Sequence, residues 1–312
     1  TAHFTLDTPI AAGTVERIEI LSSGTVPAAG PGAGGVLVNI VTVNDTSGVE
    51  GSITAGSFGS FGGAAGASIE SSQGRYSLHT GVSRNDGHAD GLDNSVSTLS
   101  LTGSHDPGDA HVDWQVGYNR KRFGAEGFYA PLPSFEKTET LSAGASMKRR
   151  FNGGSSFSVR VSARGHGDDF ILDRTDPGLY RNTHYNRNYY ADCSGTLVVA
   201  DGLDLNLGMN ARRSGITSGT LGRHSDTMAS FYAGISGQQK RAGYTILLAA
   251  ARYRDGHTRL VPVLVARFQH CVPQGLWTGP RTPLTGYGVR MKQSGGRRIT
   301  VVSTPAASAF RP

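Results

Sequence analysis

Long stretches of this chain alternate apolar and polar residues one by one. Tyr76, Leu78, Thr80 and Val82 are interleaved with Ser77, His79, Gly81 and Ser83, and Val112, Trp114, Val116 and Tyr118 with Asp113, Gln115, Gly117 and Asn119. The pattern returns at Leu141 to Met147, Phe157 to Ala163, Leu203 to Ala211 and Ala229 to Ile235. A period of two places successive side chains on opposite faces of a strand. No segment shows a convincing 3.6-residue period. The sequence therefore predicts an all-β protein with about eleven strands between Val49 and Arg254.

Connection lengths alternate too. Short turns are expected at Ser71 to Gly74, His105 to Asp109, Asn152 to Gly154 and Asp201 to Gly202. Long loops are expected over Arg84 to Asn94, Arg122 to Glu136, Gly165 to Asn188 and Arg213 to Asp226. Short turns at one rim and long loops at the other is the layout of an outer-membrane β-barrel, whereas a soluble sandwich has no reason to segregate them. No run of 18 apolar residues predicts a transmembrane helix. Barrel strands, with one face to lipid and one to the lumen, escape that test. In hydrocarbon each unpaired backbone polar group costs several kcal/mol, so strands span only as a closed barrel. Eleven or twelve strands with a free edge at each end do not close one.

Ahead of the alternating part, Thr1 to Ala12 reads as an extended lead-in. Val15 to Leu21 and Val36 to Thr42 are short Val/Ile-rich runs, and Ser22 to Gly35 between them is rich in Gly, Pro and Ala. Read bare, this is strand, close-packed loop, strand. A phosphate-cradling loop is excluded, because Gly35 runs straight into β-branched residues instead of opening a helix behind a Lys-Ser/Thr pair.

The same stretch resembles the end of the plug domain in TonB-dependent outer-membrane receptors, which closes with a run like VERIEVLRGP…YG…GAxGGVINIIT before the barrel begins. Val15, Glu16, Arg17, Ile18, Glu19 and Leu21 match its first part. Gly30, Gly32, Ala33, Gly35, Asn39, Ile40 and Thr42 match its second. Ser22, Ser23 and Gly24 replace the Arg-Gly-Pro, and Val36 stands where a second Gly is usual. The resemblance implies a transmembrane antiparallel β-barrel, incomplete here, with the C-terminal part of a plug. It divides the chain into plug (1–44), the first half of the barrel (45–268) and an atypical tail (269–312). In the tail the alternation stops, prolines accumulate and acidic residues vanish. A frame break near His270, or a disordered basic tail, would produce it.

Charge adds little. The chain carries 30 basic and 24 acidic residues, but six of the basic ones and none of the acidic ones lie from His270 to Pro312, so the body is neutral. It lacks the clustered basic face of a nucleic-acid binder. The two cysteines, Cys193 and Cys271, give neither a zinc spacing nor a disulfide framework, and Cys193 reads as a free thiol on an apolar strand face. The ten histidines include no HExxH or close His/Cys/Asp cluster, and no G-x-S-x-G elbow is present. No catalytic residues, resident metal or cofactor are expected.

The loops carry the binding expectations. The segment Phe123 to Glu136 resembles one in cobalamin-type receptors of the family, where Phe-Gly-Ala, Phe-Tyr and Phe-Glu recur. Phe128, Tyr129 and Phe135 would stack on a ligand, or belong to the aromatic girdle at the membrane surface. The loop Gly165 to Asn188 offers Arg174, Tyr180, Arg181, His184 and Tyr185, a set suited to an anionic chelate. Asp168 and Asp169 in that loop would alternatively hold calcium, and solvated loop charges are the plain reading. By resemblance, Glu16, Arg17 and Glu19 form a latch between plug and inner barrel wall. The implied function is import of a scarce nutrient, cobalamin or a ferric siderophore, at the outer membrane of a Gram-negative bacterium. Its partners would be outer-membrane lipid, the nutrient ligand and the TonB–ExbB–ExbD energy complex, reached through a TonB box upstream of Thr1. A passive porin or adhesin barrel, or an outer-membrane hydrolase, are the other readings.

Overall fold

The structure is a computed structural model, and it describes residues 7–22, 36–42, 47–239, 242–253 and 258–268. The Gly-rich loop, the tail and Cys271 lie outside the described residues. Two strands form an N-terminal hairpin, β1 (Val15–Ser22) and β2 (Val36–Thr42), paired antiparallel. The rest is one antiparallel sheet of 12 strands in sequence order. These are β3 (Gly48–Ala55), β4 (Phe61–Ser71), β5 (Gly74–Asn85), β6 (Asn94–His105), β7 (Ala110–Gly124), β8 (Phe135–Arg150), β9 (Ser156–Ile171), β10 (Arg181–Ala200), β11 (Leu203–Ser218), β12 (Gly222–Gln239), β13 (Ala242–Tyr253) and β14 (Thr258–Phe268). The sheet is open: β3 and β14 each have one neighbour.

Burial is inverted relative to a soluble domain. Among the described residues four hydrophobic side chains are buried against sixteen polar or charged ones. His79 is 4% exposed, Thr140 0% and Asp192 2%, whereas Leu141 is 56% exposed and Phe231 52%. The alternation therefore sorts the faces as expected, with polar residues on the enclosed side and apolar ones outward. A dry apolar interior between two layers is absent from the described sheet. Water offers no gain for such an arrangement, and hydrocarbon against the outward face does.

The loop expectations need one correction. β9 continues to Ile171 and β10 starts at Arg181, so the expected loop 165–188 shrinks to 172–180. Likewise 213–226 reduces to a turn at 219–221. His184, Tyr185 and Arg181 are strand residues. The cause is length: about 9–11 residues span a bilayer, and β10 has 20. A barrel strand longer than that span is wet on both faces beyond it, and strand pairing continues there without an apolar alternation to announce it. The loops still segregate, with 86–93, 125–134 and 172–180 at one rim and two- to five-residue turns at the other.

Candidate functional site

At the long-loop rim three loops lock together. Arg174 donates from Nη1 to Asp93 Oδ1 (2.7 Å), lies over the Phe135 ring at 4.9 Å, and its backbone N–H bonds to Pro133 O (2.9 Å). The Gly124 N–H bonds to Asp93 O (2.7 Å) and the Ser134 hydroxyl to Leu172 O (2.8 Å). One guanidinium thus joins the loop ends 93, 133–135 and 174.

Beside it runs an aromatic ladder. Phe128 meets Tyr129 edge-on with centroids 4.7 Å apart, Tyr129 meets Phe170 at 4.8 Å, and Phe170 meets Tyr180 at 6.3 Å. Edge-to-face contacts of this kind hold rings rigid. Phe128 is 77% exposed, so the outer end of the ladder is open. At the inner end Tyr129 Oη donates to Glu136 Oε2 (3.0 Å). Burial, and then the Glu136 charge, push the Tyr129 phenol up to about 12, so it remains a donor at any physiological pH.

Phe128, Tyr129, Tyr180, Arg174 and Phe135 are thus brought together. Arg181, His184 and Tyr185 are not. Arg181 forks onto Asp169 on the outward face (2.8 and 2.7 Å), Tyr185 lies beneath Arg187, and His184 turns to the enclosed face beside Asn182 (3.0 Å). The pleat also separates Asp168, which is buried, from Asp169, so the two cannot chelate one calcium ion. Asp168 shares the enclosed face with Glu136 instead. Among the described residues no group of three or more His, Cys, Asp or Glu side chains is placed to hold a metal. Phe170, Glu136 and Asp93 enter the site without having been singled out as binding residues. Phe170 stands on the same face of β9 as Asp168, alternating with Asp169 just before the loop, the one local signal it had.

Below the rim, residues 7–14 lie on the enclosed face. Lys121 of β7 pairs with Asp7 Oδ1, Arg164 Nη2 of β9 donates to Asp7 O (2.6 Å), and Ala11 N–H bonds to Ser100 Oγ of β6 (2.7 Å). Burial alone would raise the Asp7 carboxyl, but the Lys121 hydrogen bond and charge hold it below the ordinary carboxylate range. Thr140 and His166 bond to each other behind this pair (2.9 Å).

The ion pairs of Glu16, Arg17 and Glu19 stay within the hairpin. Arg17 binds Glu16 (2.7 Å) and Glu19 (2.8 Å), and Glu19 accepts from Asn39 (2.9 Å). Among the described residues the ion pairs from the N-terminal part to the sheet come from Asp7. A cavity of about 600 Å³ separates β2 from the sheet, with Asn39, Arg75, His111, Asp113, Arg160 and Tyr190 on its walls.

No family model and no curated protein sequence matches this chain. Solved structures do. The siderophore receptor PirA from Pseudomonas aeruginosa superposes with a TM-score of 0.61 at 17% identity, over 81% of this chain and 46% of that one. The pyoverdine outer membrane receptor FpvA from Pseudomonas aeruginosa PAO1 gives 0.64 at 12%, over 83% and 50%. The FrpB iron transporter from Neisseria meningitidis gives 0.64 at 12%, over 82% and 50%. The chain spans about half the length of these structures. Its fold is that of TonB-dependent outer-membrane receptors, over an N-terminal hairpin and an unclosed antiparallel sheet.

Proposed function

We propose that this chain is part of an outer-membrane importer for a scarce nutrient carried as an anionic chelate, such as a ferric siderophore. In this reading residues 1–44 end the plug and 45–268 begin the barrel. The observation that carries it is the inverted sheet, apolar outward and polar inward, with the segment held by Asp7 on its inward face and a rigid aromatic rim above. Such a rim offers ring faces and a guanidinium to a flat, anionic ligand. Solved neighbours that are receptors or transporters of siderophore and iron support this class and lend nothing to cobalamin.

Import requires the lumen to open. Asp7 with Lys121 and Arg164 would hold the segment against the wall, and Glu16, Arg17 and Glu19 would keep the hairpin rigid while it is pulled. The energy would come from the TonB–ExbB–ExbD complex, since an outer membrane has no ATP. The test is uptake of a labelled ferric siderophore by cells expressing the complete gene, with and without a protonophore. Uptake abolished by the protonophore supports an energised importer. Uptake that persists assigns a passive pore.

A further inference from the structure

The outward face of β10 to β13 carries a second site, separate from the rim and the lumen. Two register rows cross it. Ala191, Ala211 and Ala229 stand side by side and lead to Arg252, and Cys193, Met209, Phe231 and Ala250 form the next row. Small side chains beside large ones leave a groove of about 610 Å³, bordered also by Val159 and Thr258.

One step toward the long-loop rim, Arg213 lies in register with Tyr189 and Thr227, and Arg187 lies one step beyond Tyr189. Arg187, Arg213 and Arg252 are exposed. Among the described residues none of the three has an acidic partner, and the outward positions of β10, β11 and β12 above the groove hold no Asp or Glu.

Elsewhere on the same rim several basic residues are compensated. Arg120 and Lys137 pair with Glu139 (3.2 and 3.0 Å), and Arg181 pairs with Asp169 (2.7 Å).

We infer that this face binds a phosphate-bearing membrane lipid, one acyl chain in the alanine groove and the phosphate between Arg213 and Arg252. The two arginines are two strands and one same-face step apart, roughly 12 Å between backbones by ordinary strand spacing and rise, within reach of one headgroup through their long side chains. A guanidinium takes phosphate oxygens through paired N–H groups, and an apolar trough takes a methylene chain. A second copy of the chain docked on the same face by two-fold symmetry would set arginine against arginine, which disfavours it. The inference rests on the reading of this face as lipid-facing.

The test reconstitutes the product of the complete gene in vesicles of phosphatidylcholine alone and of phosphatidylcholine with a minor share of phosphatidic acid. Native mass spectrometry then counts lipid retained after detergent exchange. Phosphatidic acid should be retained in preference, with the preference falling roughly fivefold for each of Arg213→Gln and Arg252→Gln. Arg120→Gln, a compensated arginine outside the groove, should change nothing. Ala211→Leu with Ala229→Leu should fill the groove and lower retention of both lipids. Equal retention of the two lipids, or a preference unmoved by the double arginine variant, overturns the lipid site alone. Failure to insert into either vesicle overturns the membrane reading as well.

Discussion

The carbonyl oxygen of Pro9 fills the space that a β-carbon on Gly117 would need. The segment 7–14 thus touches the sheet backbone directly at β7, and the absent side chain is what lets it seat. Gly117→Ala should lift residues 7–14 off the wall at a cost of about 1–3 kcal/mol, as overpacking does. Limited proteolysis near Asp7 in the detergent-solubilised chain is the readout. Gly144→Ala, whose β-carbon would meet its nearest neighbour at an ordinary 3.5 Å, should leave the cleavage rate unchanged.

Asp7 makes that seating pH-dependent in one direction. Its carboxyl is held below the ordinary value of 3.8 by Lys121, so the folded state prefers the ionised form. The resulting stabilisation is complete above the unfolded value and disappears as pH falls through the folded one. Proteolytic release of the segment should therefore rise in acid below about pH 4 and be flat from there to neutrality. Asp7→Asn should show the acid level of release already at pH 7, with a loss of about 1–2 kcal/mol, because Lys121 is partly solvated.

Arg174 should act as the staple of the rim. With Arg174→Ala, the Asp93 carboxylate loses its donor and Phe135 its cation. Amide exchange at Gly124 and at position 174 itself should then accelerate roughly tenfold, the size expected for one charged hydrogen bond. Arg174→Lys should restore the charge without the flat contact to Phe135, and recover only part of the protection. Exchange in the turns of the opposite rim is the internal control.

The Tyr129 phenol, raised to about 12, should be visible by alkaline difference absorbance. The wild-type chain minus Tyr129→Phe should show a phenol still un-ionised at pH 11, when an ordinary tyrosine near 10 is largely ionised. A difference titrating near pH 10 would mean that the Tyr129–Glu136 contact does not form in solution.

The strands were legible in the sequence wherever one face is apolar and the other polar. Leu141, Ala143 and Ala145 against Ser142 and Gly144 is a pattern only a half-apolar environment selects, and β8 runs through it. Where both faces are wet, as from Arg181 to Asn188, strand and loop have the same composition, and the expected loop was too long. Site residues divide by range. Phe128 with Tyr129, neighbours in the chain, were readable as a unit. The tie of Asp7 to Lys121 spans 114 residues and that of Asp7 to Arg164 spans 157, separations at which a single sequence carries no pairing signal. The partners of Arg17, Glu16 and Glu19, are by contrast local.

The inverted burial has a consequence for how variation should accumulate. In a water-soluble enzyme a greasy side chain turned inward is tolerated and one turned outward is penalised; here the tolerances trade places. Replacing Leu141 or Phe231 with another oily residue should pass unnoticed, while a conservative-looking exchange at Thr140 or Asp192, both shielded from solvent, should be felt at once. A stability scale trained on cytosolic proteins would rank the substitutions of this one nearly upside down.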